Sequence, residues 1–331
     1  MERTTINKAG KQPSKINAGM IGNLAPYIGL LLVTIVFSIT TEGALISAMN
    51  LQSLTNEVIV TALVTVGAVF IFGAGYFDMS MAGVVCFSAV IGGMVMINTG
   101  SVPAGALVIL AVSLAFGLIK GLFAAFINVP FFIFTIVLGT VITSVVLVLM
   151  GSESTIYLKN AVSEIPSPTF AQMSIINIVA LAAFFLFCLV LFNYTSLGIR
   201  IKSIGGNKIS ATQSGIAIKR TTIITFLVSA VGVALAAFII LIRTRTVGGT
   251  TASSVGTDVL VALVLGGMPL TGGPRSKISA GLVGAVTITV LNSGLTIMGL
   301  STGQIQICRG VVFILVVLVA SLSYRGKLLP R

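Results

Sequence analysis

Leu197–Arg220, LGIRIKSIGGNKISATQSGIAIKR, lies between two long apolar runs and carries Arg200, Lys202, Lys208, Lys219 and Arg220 with no acid. Positive charge between apolar runs marks a loop held on the cytoplasmic side of a membrane, where Lys and Arg are retained. Gly205 and Gly206 free the backbone, and Asn207 has the side chain of a helix N-cap. Gly215 suits the left-handed residue that ends a helix. The segment reads as a short stiff helix presented to the cytoplasm, which fits a handle for a partner better than a slack linker.

The rest of the chain supplies the membrane. Of 331 residues, 56% are hydrophobic and only 8% charged, and mean hydropathy is +1.14. Soluble domains carry about a quarter charged residues, so an ordinary globular protein is excluded. The apolar runs are continuous, not alternating, which excludes an outer-membrane barrel. The expected class is an all-α polytopic membrane protein.

A net charge of +12 would suggest nucleic acid in a soluble chain. Here the cations sit at the ends of apolar runs, where they orient the chain and meet anionic headgroups, and no basic face interleaved with aromatics is present. Nucleic acid is therefore not an expected partner; the lipid bilayer is. Cys86, Cys188 and Cys308 lie far apart inside apolar runs and read as small buried hydrophobes. With no His and no Trp, the commonest metal ligand and general base are missing, so neither metal nor cofactor is expected. No cleavable signal peptide is visible, because the polar start leads into a run long enough to span.

Ten apolar runs follow one another: 24–41, 58–74, 79–98, 103–127, 131–150, 173–194, 221–242, 258–265, 278–298 and 305–322. The eighth is short, and an eight-span count is the fallback. The expected organisation is a basic cytoplasmic tail over 1–23, a membrane domain over 24–323, and a second cytoplasmic tail over 324–331. Ten crossings put both tails, Leu197–Arg220 and Gly266–Lys277 on one side, with Arg243 and Arg245 the exceptions. Gly151–Gln172, with two acids and one lysine, belongs outside. Lys120, near the end of the fourth run, is placed to snorkel to the surface.

Two glycine-rich breaks look alike: FGAGYFDMSMAG after the second run and LGGMPLTGGPRS after the eighth. They contain Gly75 and Asp78, and Gly266, Gly267, Gly272 and Gly273. Irregular backbone at membrane depth needs protein or a water-filled cavity to satisfy it. The favoured reading is tight turns between packed helices, because small residues serve helix packing throughout membrane proteins. Asp78 reads as a structural cap. So does Asp258, which could pair with Arg243 or Arg245 across the outer loop.

Taken in order, GYFDMSMAG, VPFFIF…LGT, GGNKISATQSGI, GTDVLVALVLGGMPLTGGPRSKISAGLVGA and LNSGL resemble the permease subunits of bacterial monosaccharide ABC importers, the ribose, xylose, arabinose, galactose and autoinducer-2 class. The resemblance covers about residues 55–323. Departures stand at Lys208-Ile209-Ser210-Ala211, where acids and an Ala-Ala pair are usual, and at Tyr76, Thr257-Asp258-Val259 and Arg275.

The resemblance implies a compact ten-helix fold of the vitamin-B12-importer type (type II) in a bacterial inner membrane. It implies two permease halves, identical or paralogous, a separate ATPase inside and a sugar-binding protein outside. Gly205, Gly206, Asn207, Ala211, Ser214, Gly215 and Ile216 would then form the coupling helix that docks the ATPase, with Gly206 turning the chain out of the sixth run. No P-loop is present, so ATP must act through that partner and the chain is not itself an enzyme. For the sugar path, Asn56 and Asn292 are candidates, since amides donate to and accept from hydroxyls. Phe131 and Thr135 are further candidates, with core packing as the competing role. An ion-coupled carrier is the alternative, but it would need intramembrane acids, and Asp78, Asp258 and Glu57 all lie near run ends.

Overall fold

The computed structural model describes residues 18–127, 129–151, 155–158, 169–269 and 271–325. The described residues form twelve α-helices and one two-stranded ribbon: α1 (Ala18–Thr40), α2 (Ala48–Gly73), α3 (Met81–Thr99), α4 (Val102–Phe126), α5 (Phe131–Met150), β1 (Thr155–Tyr157), α6 (Phe170–Tyr194), α7 (Ser196–Gly206), α8 (Lys208–Gln213), α9 (Ile218–Thr244), β2 (Thr246–Gly248), α10 (Val255–Leu265), α11 (Ile278–Ile297) and α12 (Thr302–Arg325). Seven of these, α2 to α6, α9 and α11, are long and apolar enough to cross a bilayer. The expected first, eighth and tenth spans fall on α1, α10 and α12, whose apolar stretches are shorter. Residues 18–23 of the expected first tail belong to α1, while 1–17 and 326–331 lie outside the described residues, as do 152–154 and 159–168 of the expected outer segment.

Local chemistry explains the helix starts. Ser101 accepts from the Ala104 amide with Pro103 in the first turn of α4, and Thr169 and Gln172 form a capping box on α6. The polar residues 50–57, which precede the second apolar run, lie in the opening turns of α2. Its polar groups have partners: Asn50 Nδ2 donates to the Leu45 carbonyl at 2.7 Å, and Ser293 donates to Asn50 Oδ1 at 3.1 Å. Two helical turns outside the apolar run are therefore held by side-chain bonds that its hydropathy does not register.

The core centres on α2, which packs against α9 and α11, while α9 also packs on α3 and α4. Small residues bring the backbones together. A Cβ on Gly67 would lie 3.1 Å from the Ser229 backbone, one on Gly232 2.5 Å from the Leu63 carbonyl, and one on Gly281 3.1 Å from Val66 Cα. In lipid, helix association relies on such close packing, because the tails outside are as apolar as the interior.

At one end of the bundle β1 pairs antiparallel with β2, Ile156 opposite Val247. The chain then dips inward: the Cys86 thiol, in the second turn of α3, donates to the Gly248 carbonyl at 3.3 Å. Gly256 lies against Met79 and Ala82. The segment 246–254 thus re-enters the bundle, and α10 begins beside the first turn of α3. With 11 residues, α10 is about 16 Å long, roughly half a hydrocarbon core. The expected eighth span is a half-helix.

Candidate functional site

At the opposite end, α7 and α8 project beyond α6 as two short helices. The six-residue α8 is capped as its sequence requires. Asn207, in extended backbone, accepts through Oδ1 from the amides of Ile209 and Ser210 at 2.9 and 3.0 Å. Gly215 has φ +75°, its amide donates to Thr212, and the Ile216 amide donates to Ala211, which satisfies carbonyls a helix end would leave open. Ala211 is buried and Ser214 exposed. Gly206 has a different position from the one expected. It is the last residue of α7, an eleven-residue helix that Thr195 starts after α6 has ended at Tyr194. The turn out of the sixth span is made at Thr195, whose extended backbone breaks the helix one residue after Tyr194.

Beneath this pair of helices both glycine-rich breaks converge. The Gly273 amide donates to the Gly73 carbonyl at 3.0 Å. A Cβ on Gly205 would run into the Gly73 carbonyl and lie 2.6 Å from the Gly273 nitrogen, and one on Gly272 would lie 2.9 Å from the Gly75 nitrogen. Gly75, Gly267, Gly272 and Gly273 all have positive φ. Pro274 packs on Gly206, while Gly266 is pressed against the Ala280 carbonyl of α11. Three chain segments, each more than sixty residues from the next in sequence, meet backbone to backbone with no room for a side chain. The end of α7 therefore rests directly on the end of α2 and on the second break, between α10 and α11.

The charged residues inside the bundle pair differently from the sequence-based expectation. Lys120 does not snorkel. It is 4% exposed and donates to Asp78 Oδ2 at 2.6 Å, while Asp78 Oδ1 accepts from the Ser80 amide and hydroxyl. A cation that would otherwise reach for water is held inside because the break turns a carboxylate toward it. Nor does Asp258 pair with Arg243 or Arg245. Its partner is Arg309 of α12, at 2.7 Å, because α12 packs against α10 there. Arg243 instead donates to the Asn56 carbonyl at 2.6 Å.

Of the candidate path residues, Phe131 is buried in an aromatic group with Tyr76, Phe134 and Phe226. Thr135 is fully buried and accepts from the Met79 amide at 3.2 Å, securing the first break. Thr135 leaves no open surface, while Phe131 lines a cavity together with Gly75, Tyr76 and Lys208. Asn56 accepts from Asn177 Nδ2 at 2.8 Å, and Asn292 accepts from Arg309 Nε at 2.6 Å, so the two amides belong to separate clusters. Asn177, Lys120 and Arg309 were not foreseen as partners. Only their rarity inside apolar runs marked them in the sequence.

A family model described as the branched-chain amino acid transport system permease component matches residues 50–321. The chain belongs to that permease family. Among its relatives, the permease is 28% identical to the ribose import permease protein RbsC of Bacillus subtilis over 91% of this chain and 93% of the relative. It is 27% identical to the galactose/methyl galactoside import permease protein MglC of Escherichia coli K12, covering 90% and 94%. It is 24% identical to the xylose transport system permease protein XylH of Haemophilus influenzae, covering 89% and 96%. No solved structure matches it. The protein is thus a multi-pass membrane subunit of an ABC transporter, and it is not itself catalytic.

Proposed function

We propose that the permease forms half of the path of an ATP-driven importer for a neutral monosaccharide, and that α8 is the helix through which a separate ATPase drives it. The observation that carries this reading is the glycine junction under α7. A force applied to a stiff, capped α8 passes by way of α7 to the end of α2 and the second break through backbone contacts that cannot yield. Both tails and Leu197–Arg220 would face the cytoplasm, with β1 and β2 toward an external sugar-binding protein. The second half would be another copy or a paralogue, in a ten-helix fold of the vitamin-B12-importer type within the bacterial inner membrane.

A neutral solute is favoured over the zwitterion that the family description names. Asp78 and Asp258 are both already matched by a cation, at 2.6 and 2.7 Å. An amino acid would need charges of its own to meet. The same pairing argues against an ion-coupled carrier, which keeps an intramembrane acid for its ion. The relatives whose names state a ligand carry ribose, xylose or galactosides, which agrees with a polyol.

The test is reconstitution with the ATPase and binding protein. Gly215→Val and Asn207→Leu should assemble in the membrane yet lose sugar-stimulated ATP hydrolysis and stable association with the ATPase. Wild-type coupling in both variants, or an altered sugar preference, would remove α8 from this role. For orientation, an impermeant thiol reagent applied to intact cells should label Tyr157→Cys and leave Ser203→Cys untouched. The reverse pattern would invert the topology.

A further inference from the structure

We propose that Arg309, Asp258 and Asn292, with the neighbouring Gln306, Gly310 and Thr257, form a hydroxyl-binding subsite on the solute path, specific for a neutral polyol. The assignment rests on the importer reading above and gives that reading a location.

Arg309 lies within the apolar stretch of α12, seven residues after Thr302, about 10 Å along the helix. It reaches two other helices, donating from one terminal nitrogen to Asp258 of α10 and from Nε to Asn292 of α11. Those bonds leave guanidinium N–H groups that meet no acceptor among the described residues. The Asn292 amide nitrogen is likewise without an acceptor there, and the Asp258 carboxylate keeps further lone pairs. Planar groups fixed in this way, each with spare donors or acceptors, match the paired hydroxyls of a sugar. Because the cluster is already charge-neutral, a neutral ligand suits it better than an ion.

The cluster also opens outward. Gln306, three residues before Arg309 and so on the same face of α12, is exposed, as are Gly310 and Thr257. A Cβ on Gly310 would meet nothing within 4 Å. Further along α12 the exposed residues turn apolar, at Val311, Ile314, Leu315 and Leu318. An open polar stripe at membrane depth is costly against lipid but not against water. The exposed start of α12 is thus assigned to an aqueous path and its later apolar turns to lipid. The re-entrant segment ends one turn before Asp258, with Thr250 and Ser253 exposed.

The test is cysteine accessibility in intact cells carrying the whole importer, with Cys86, Cys188 and Cys308 replaced. A cationic, membrane-impermeant methanethiosulfonate should modify Gln306→Cys and Thr257→Cys. Leu315→Cys should react about tenfold more slowly or less, since only a hydrated thiolate reacts. Millimolar ribose, xylose or galactose, tried in turn, should slow modification of the first two several-fold, and leucine should not. Gln306→Ala should raise the KM for uptake of the protecting sugar with unchanged membrane abundance. Three results would overturn the subsite while leaving the importer reading intact, provided wild-type cells still take up sugar: no labelling at Gln306→Cys and Thr257→Cys, as when a second copy covers the stripe; labelling that no sugar slows; or protection by leucine alone. Absence of sugar uptake by the wild type would overturn the importer reading, and this subsite with it.

Discussion

Helices α2 and α5 would be ranked in the wrong order by anyone looking for the core. Of the two, α5 is the more apolar, yet only 17% of its most apolar 18-residue window is buried, against 78% for α2. Phe131, Thr135, Ile142, Val146 and Met150 make a single packed stripe on α5, and most other residues are exposed. From Ile59 to Gly73 every residue of α2 is buried, including Thr61 and Thr65. A surface facing lipid is mostly apolar, and α5 admits Thr140 and Thr143 only with their hydroxyls bonded to their own turn, whereas a helix enclosed by protein carries the small residues that let backbones meet. Hydropathy therefore reports contact with lipid, and small residues report contact with other helices.

The sharpest challenge to this contrast is the buried cation on α4, a helix that is otherwise mostly at the periphery. Lys120→Met should cost about 3–5 kcal/mol, because it leaves the Asp78 carboxylate buried without a countercharge. Thermal unfolding in detergent would read the loss, and adding Asp78→Asn should recover most of it. If the double variant melts no higher than the single one, the ion pair is not what holds that corner.

Next in size is Gly232→Val on α9. The added atoms meet the Leu63 carbonyl of α2, which is backbone and cannot swing aside. A loss of about 1–3 kcal/mol is expected. An unchanged melting temperature would mean that α2 and α9 can separate without penalty, and the core would have to lie elsewhere.

The projecting α8 is exposed like α5 but only six residues long, so capping orders it where packing cannot. Asn207→Leu removes the acceptor of two amides and should weaken the helix by about 1 kcal/mol. Hydrogen exchange at Ile209 and Ser210 should quicken about fivefold for that loss, while global unfolding stays put. The smallest effect belongs to α5 itself. Val148, 80% exposed, should accept Thr with a change within about 0.5 kcal/mol. A large loss at Val148 would mean that another chain covers this face.

Much of this is legible in the sequence. The capped helix at 208–213 could be read from Asn207 and Gly215, and both breaks from their glycines, because caps and turns depend on residues within a few positions of one another. The pairs Lys120–Asp78 and Arg309–Asp258 could not, since 42 and 51 residues separate the partners. Proximity in sequence suggested Arg243 for Asp258, and a free route to water suggested solvation for Lys120. Both inferences failed because neither considers which helix lies alongside.

By itself, the sequence determined that this is a multi-pass helical membrane protein, and where one capped basic helix and two glycine-rich breaks lie along it. These follow from transfer free energies and local backbone preferences, which act residue by residue. Only the tertiary structure decided that the two breaks and the end of α7 form one glycine junction, that the eighth apolar run is a half-helix following a re-entrant segment, and which charges neutralise which. Those outcomes depend on close approach between distant segments. Each requires a missing side chain on one and an exposed carbonyl, amide or charge on the other, and only the folded chain brings the two together.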